Sequence, residues 1–454
     1  MNRSRRRFIK NTTIATGTIS LGASSIMSAK SYNSIMGAND RVRVGIVGFS
    51  GRARASLIPA FIALQDKLNF RITGVSDIWN KRRESGKSYI KELTGDNITS
   101  YKNNEQMYED DQIDAVIIST ADFQHALHTV EAAQAKKDAY VEKPFAETMD
   151  DNIIGHKAVK ESGIIVQIGS QRRSGLNYHR ANQFIKEGKF GDIVMVEMTW
   201  NVNQPGRWRL PNLTKEIQES DTDWKRYLMN RPYEDWDPRK YLEYRLFWPY
   251  SSGIPGQWMS HQIDTVHWFS GLGHPRSVAA NGGIYLWKDG RKNFDTMTAV
   301  FDYGPPDEPD SGFQVIYSSR FTNSAGGVKE IYYSNGGELN LSTNKVSSNG
   351  GLTQHQAEKM GYSANLLEDY DLSQDDNLGV VTSADTGSDP LTNAHMLNWM
   401  ECVRSRKQPN APVQAGYDHS VANIMTTAAL RTGLKATFDT KRQQVLAGGE
   451  VFKY

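Results

Sequence analysis

The sequence is short of several things that define whole classes of protein. Among its 454 residues there is one cysteine, Cys402. That excludes an intramolecular disulfide framework and any cysteine-rich zinc or iron–sulfur site. No stretch of about 18 consecutive apolar residues occurs, and the mean hydropathy is −0.57, which excludes a polytopic membrane protein. Excess charge is also scarce: 53 Lys and Arg stand against 51 Asp and Glu, for a net +2. What the chain does have is 20 Tyr, 16 Phe and 10 Trp, enough large side chains to build real cores. At roughly 100–200 residues per domain, its length suits about two to four domains.

The small positive charge is concentrated at one end. Ser4-Arg5-Arg6-Arg7-Phe8-Ile9-Lys10 precedes an uncharged stretch from Asn11 to Met27 that is rich in Thr, Gly, Ser and Ala. A basic head, a weakly apolar middle and a small-residue end predict an export signal, and the paired arginines resemble the twin-arginine (Tat) consensus. Residues 1–38 are accordingly assigned to signal and linker, with cleavage expected after Ala29 and Ala38 as the alternative site. A Tat substrate crosses the membrane folded, which predicts a periplasmic protein with no membrane segment once the signal is removed. Residues 1–29 hold five basic residues and no acid, so their removal takes the net charge to −3. A mildly acidic body without a basic cluster has little reason to bind nucleic acid.

In the remaining chain, β-branched runs alternate with helical stretches. Arg41 to Gly48 reads as a strand, followed by a turn and a helix to about Gln65; further strands are predicted at Phe70–Ser76, Ala115–Ser119, Ala139–Val141 and Gly163–Ile168. This rhythm predicts a doubly wound parallel sheet of about six strands over residues 39–170. From 171 to 454 the texture shifts to alternating strands such as Ile193–Trp200 with Gly, Asn, Pro and Asp turns. That predicts an α+β domain with a large, open-faced, mostly antiparallel sheet, closed by helices at Thr392–Arg406 and His419–Lys435.

The first strand ends in a glycine-rich turn, where backbone N–H groups and a helix N-terminus can approach a pyrophosphate. Against G-x-G-x-x-G the chain offers Gly48, Ser50 and Ala53, with Gly51 as an additional glycine and Arg52 beside it. Asp77 closes the second strand, where an acid can accept the ribose hydroxyls; this favours NAD, while Arg82 and Arg83 leave NADP as the lesser alternative. His125 and His128 lie at helical spacing, but no third ligand cluster accompanies them, so no metal is expected.

Three motifs in order carry a family resemblance: Ser119-Thr120-Ala121-Asp122-Phe123-Gln124-His125, Glu142-Lys143-Pro144, and Gly169-Ser170-Gln171-Arg172-Arg173. Together they resemble the Gfo/Idh/MocA oxidoreductases. The resemblance implies a Rossmann domain followed by an open-sheet domain, tightly held NAD(P), a sugar or polyol substrate, and a homo-oligomer, dimer or tetramer. It places Thr120, Asp122, His125, Glu142, Lys143 and Gln171 at the cofactor, and Lys143 at the substrate hydroxyl as well. The stretch Gly253 to Asp264 is similar to the family's G-x-x-x-D-x-x-x-H-x-x-D, so His261 matches its catalytic histidine. Gln257 stands where many members carry aspartate, which puts the basicity of His261 in question. Read without the resemblance, Lys143 could be a solvated loop lysine and His261 a cap or core residue. His267 is expected to pack. Tyr178, Asn201, Arg207, Trp208, Gln257, Asp264 and Tyr417 are candidate substrate residues, with Trp248, Tyr250 and His419 as further pocket candidates.

Removing hydride from a carbinol carbon requires that the hydroxyl proton leave too, and a histidine within hydrogen-bond reach suits that task. The expected activity is oxidation of a secondary hydroxyl, at ring C3, of a sugar or glycoside. A second reading is a glycoside hydrolase similar to family 109, which oxidises the sugar transiently, eliminates the aglycone and returns the hydride. A third is a non-catalytic sugar-binding protein with structural NAD.

Overall fold

The computed structural model describes residues 40–305, 307–308, 310–373 and 389–453. The predicted export signal lies outside the described residues.

From Val42 onward the chain builds two sheets. The first contains β1 (Val42–Val47), β2 (Phe70–Ser76), β3 (Thr99–Tyr101), β4 (Ala115–Ile118), β5 (Asp138–Val141) and β6 (Val166–Ile168), in the order β3-β2-β1-β4-β5-β6. All its pairs are parallel. Successive strand residues face opposite sides, and both sides are buried. Ala115 and Ile117 enter a core with Phe61, Phe70 and Ile90; Val116 and Ile118 enter another with Ala126, Phe145 and Val159. The sheet is thus doubly wound, with its strand order reversing between β1 and β4, where ligands bind in open α/β sheets. The predicted strands fall where expected; β3 is an additional short edge strand.

Among the described residues the second sheet has eleven strands: a centre of β7 (Met195–Asn201), β8 (Ser277–Gly283), β9 (Thr296–Tyr303), β10 (Phe313–Arg320) and β11 (Val328–Ser334), flanked by β12 (Gly337–Asn340), β13 (Lys345–Ser347) and β14 (Tyr370–Asp371) on one side and β15 (Ala436–Asp439), β16 (Gln444–Ala447) and β17 (Glu450–Val451) on the other. Their order is β14-β13-β12-β11-β7-β10-β9-β8-β15-β16-β17. Every pairing is antiparallel except β10 with β7. Along β9, Met297, Ala299, Phe301 and Tyr303 are buried whereas Thr298 and Val300 are exposed. The buried face packs against helices Ser260–Ser270 and Val413–Thr432; the other face is open. No helix among the described residues is long and apolar enough to cross a membrane.

Two features depart from a simple division at residue 170. Helix Pro390–Ser405, assigned from sequence to the second domain, returns to the first: Met396, Trp399 and Met400 share a core with Val44, Phe61 and Phe70. Between β7 and helix Ser260–Ser270, an irregular excursion folds over the first sheet, where Trp224, Tyr227 and Tyr250 cluster with Trp79 and Phe123. These segments draw the two sheets together around one large cavity.

Candidate active site

A cavity of about 820 Å³ runs from the carboxyl ends of β1 and β2 to the second sheet, a size suited to a cofactor and a small substrate. At its first end lies the glycine turn. Gly48 has φ +84°, and a Cβ there would stand 2.8 Å from Thr120 Cγ2 and 2.9 Å from the Ser119 carbonyl oxygen, so only glycine fits. Ser50 Oγ bonds Ser119 Oγ at 2.7 Å and accepts from the Ala53 N–H at 3.2 Å, fixing the turn onto the start of the helix. Asp77 accepts from the backbone N–H groups of Phe49 and Trp79, each at 2.9 Å. Burial raises its carboxyl above the ordinary value, opposed by Arg82 and by those N–H groups.

Two buried polar atoms on this wall, Thr120 Oγ1 and His125 Nε2, have no hydrogen-bond partner among the described residues. Unpaired buried polar groups are costly, and these sit where a cofactor amide or hydroxyl can satisfy them. The glycine turn, Asp77 and these orphaned atoms together fit a bound dinucleotide. Arg52 reaches across to Glu142, Nε to Oε1 at 2.9 Å. Burial alone would raise the Glu142 carboxyl, but Arg52 and then Lys143 take it below its usual value. Gly169 allows this carboxylate to approach, since a Cβ there would lie 3.1 Å from Glu142 Cδ. The Glu142-Lys143-Pro144 and Gly169-to-Arg173 motifs are therefore coupled by one steric requirement.

The other end holds Lys143 and His261. Lys143 follows β5 and donates from Nζ to the Gln257 carbonyl oxygen at 2.5 Å. Burial lowers its ammonium pKa to about 8, against the upward pull of Glu142 and Asp122. His261 lies in the first turn of helix Ser260–Ser270, its ring 5.7 Å from that of Trp200 and nearly parallel to it. Burial, and next the charge of Lys143, hold its pKa well below the ordinary histidine value, so the imidazole is neutral. Trp200 stacks in turn on Trp258 at 5.9 Å. Arg207 stands over the Trp258 ring, and Trp208 packs beside it.

Of the residues selected from sequence, Gly48, Ser50, Gly51, Arg52, Asp77, Thr120, His125, Glu142, Lys143, Gln171, Arg207, Trp208, Gln257 and His261 line this cavity. Five others do not. Asp122 is buried behind the wall, accepting from Ser251 Oγ at 2.6 Å and Gln257 Nε2 at 2.5 Å. Tyr178 is a core residue whose ring underlies the Arg172 guanidinium. Asn201, one position beyond Trp200, falls on the opposite side of its strand. Asp264 forms a two-pronged ion pair with Arg173, at 2.8 and 3.0 Å. Tyr417 packs on His156.

The further candidates are also structural. Trp248 lies under Arg431, Tyr250 is in the aromatic cluster, and His419 Nε2 accepts from the Phe145 N–H at 3.2 Å. His267 packs, hydrogen-bonded to Tyr303. His128 is engaged by Asn104 and Glu131, and no metal-binding cluster occurs among the described residues. Sequence reasoning missed Arg172, Trp200, Arg245 and Trp258 as lining residues. Arg172 and Trp258 lay within quoted motifs; Arg245, in a three-residue helical turn, Tyr244–Leu246, carried no signal.

Residues 42–170 match the Gfo/Idh/MocA family, an oxidoreductase family with an NAD-binding Rossmann fold. The chain is 27% identical over 172 residues to the uncharacterized oxidoreductase YrbE of Bacillus subtilis, covering 36% of this chain and 47% of the relative. It is 28% identical over 200 residues to 1,5-anhydro-D-fructose reductase of Ensifer adhaerens, covering 41% and 56%. The matches thus span about half the length of these curated relatives. The fold as a whole is similar to levoglucosan dehydrogenase in complex with NADH and levoglucosan, with TM-score 0.62 and 14% identity, covering 87% of this chain and 99% of that one. The first sheet is an NAD-binding Rossmann domain, followed by a mostly antiparallel open-sheet domain.

Proposed function

We propose that this protein is an NAD-dependent oxidoreductase acting on a secondary hydroxyl, at ring C3, of a sugar or glycoside. The observation that carries the reading is that Lys143 and a neutral His261 face the same cavity as the glycine turn and Asp77. The sugar-related names of the reductase and dehydrogenase relatives support the substrate class.

The roles follow from the geometry. Gly48, Ser50, Arg52 and Asp77 would hold NAD, with Thr120 and His125 satisfying its polar edge. NAD, when bound, supplies the hydride acceptor. Lys143, as an ammonium, donates to the substrate oxygen and stabilises the negative charge that develops there. His261, neutral because buried among cations, accepts the hydroxyl proton. Trp200 fixes the plane of the imidazole, and the half-buried Trp208 offers aromatic surface to a sugar ring.

The export signal in residues 1–38 completes the proposal: a periplasmic homo-oligomer that keeps its NAD tightly bound. Outside the cytoplasm there is no pool of free NAD, so a held cofactor must return its hydride to the same substrate or to a second sugar. The test is to purify the protein without added cofactor, assay for co-purified NAD, and offer nitrophenyl glycosides while following NADH and nitrophenol together. NADH formation without nitrophenol supports the oxidoreductase. Nitrophenol release without net NADH would replace it with transient oxidation and elimination. Neither signal on a broad sugar panel would leave a sugar-binding protein. His261→Ala should lower any oxidation by about 10²–10⁴-fold, and unchanged turnover would remove His261 from the chemistry.

A further inference from the structure

The cavity is rich in cations. Arg172 pairs with Glu330, Arg209 with Glu243 and Asp289, and Arg226 with Glu105 and Glu131, while near the glycine turn Arg54 and Arg82 lie over the rings of Tyr89 and Trp79. Arg245 lies 3.9 Å from Asp122 and over the Tyr244 ring. Arg207 differs. It lines the cavity half-buried, has no carboxylate partner among the described residues, and its Nε is buried without a hydrogen bond. Its contact is the face of Trp258, 5.9 Å away. A guanidinium in this state lacks its counter-charge, and its Nε lacks a hydrogen-bond acceptor. Burial and the nearby Arg245 both disfavour its charged form, so an anion arriving there would relieve two costs together.

The position of Arg207 identifies the ligand that brings the anion. The pyrophosphate of a dinucleotide belongs at the glycine turn on the opposite wall. Arg207 instead ends a stack that runs from His261 to Trp200 to Trp258, each ring within 6 Å of the next, which places it at the substrate end. We propose that the substrate is an acidic sugar, bearing a carboxylate or a sulfate ester, and that Arg207 binds that group while His261 and Lys143 address a hydroxyl of the same ring. This rests on the oxidoreductase reading for the hydroxyl, but not for the anion site.

The test titrates the NAD-loaded full chain, by calorimetry and tryptophan fluorescence, with glucuronate against glucose, galactose 6-sulfate against galactose, and inorganic sulfate alone. A charge-assisted, two-pronged contact predicts that at least one acidic sugar binds about ten- to a hundredfold more tightly than its neutral partner. Whether the uronate or the sulfate ester shows the preference separates the two sources. Arg207→Gln should erase the preference, and Arg207→Lys should retain part of it. Equal affinity for charged and neutral sugars in the wild type, no binding of any anion at millimolar concentration, or a preference that survives Arg207→Gln would each overturn the proposal. Selective anion binding without NADH formation from any sugar would overturn the oxidoreductase reading and leave the anion site standing.

Discussion

If Lys143 works as an ammonium and His261 as a neutral base, the two titrations set opposite limits on activity, and only one lies near neutral pH. Burial costs the Lys143 ammonium its ordinary stability, bringing its pKa from 10.5 to about 8. That drop is equivalent to about 3 kcal/mol of lost preference for the charged form. His261 is displaced downward by burial and by the same lysine, so its base form persists well below pH 6.5. The sign is therefore fixed. Oxidation should be level across the mildly acidic and neutral range and then fall by about tenfold per pH unit above about 8, as Lys143 loses the proton with which it holds the substrate oxygen.

The assay is kcat/KM on any sugar turned over by the NAD-loaded enzyme, between pH 5 and 10, with two variants. Glu142→Gln removes the larger of the two charges that support the ammonium and should move the falling limb to lower pH. Lys143→Arg, whose guanidinium keeps its proton, should lower the rate but abolish the limb. A wild-type profile that rises through pH 8 would refute the reasoning, because Lys143 would then be the base and His261 a bystander.

Other consequences can be measured independently of substrate. Asp77→Asn removes a carboxylate from the end of β2, where it accepts two backbone N–H groups at 2.9 Å; affinity for NAD should fall by about tenfold or more by calorimetry, with a smaller loss for NADP. Asp264→Asn leaves Arg173 buried without its carboxylate and should cost about 3–5 kcal/mol of stability. Burial would raise the Asp264 carboxyl, but Arg173 holds it far below the ordinary value. Its stabilisation is thus present above the unfolded pKa and lost as pH falls through the folded one, so wild-type stability should drop more steeply in acid than that of Asp264→Asn.

The longer strands of the first sheet were legible as short apolar runs rich in β-branched residues, Ala115–Ile118 being buried at every position, spaced between helical stretches. β3 was not, since Thr99–Tyr101 is three residues long and only Tyr101 is buried. Helix Pro390–Ser405 was recognised by its period, but a period says that one face is buried without saying against what; the partner is the first core, more than 300 residues back in sequence. Gly48 and Asp77 were singled out by the glycine-rich turn and the acid that closes β2, and Lys143 and His261 by the family resemblance; all four line the cavity. Motif spacing did not separate a residue that faces the cavity from one that braces it from behind, which is why Asp122 and Asp264 were placed in the site. The aromatic and cationic walls between 205 and 250 come from helical segments of three to six residues and the turns between them, too short for a period to mark which side chains face inward.

The exchange of aspartate for Gln257 looked from sequence like a loss of charge beside the base. The structure places a carboxylate one step behind it. Asp122 is fully buried, takes the Gln257 amide N–H at 2.5 Å and the Ser251 hydroxyl at 2.6 Å, and pulls upward on the Lys143 pKa. Asp122 Oδ2 accepts from the Gln257 amide nitrogen, which holds that end of the amide toward Asp122. An aspartate at 257 would instead bring two carboxyl groups together in a buried site, where both cannot ionise cheaply. Gln257 and Asp122 are then a matched pair rather than a defect. Gln257→Asp alone should lower both activity and the thermal midpoint, and Asp122→Asn in the same chain should recover much of the loss, with a coupling of about 0.5–3 kcal/mol. A single Gln257→Asp variant as stable and active as the wild type would show that the two positions do not speak to each other.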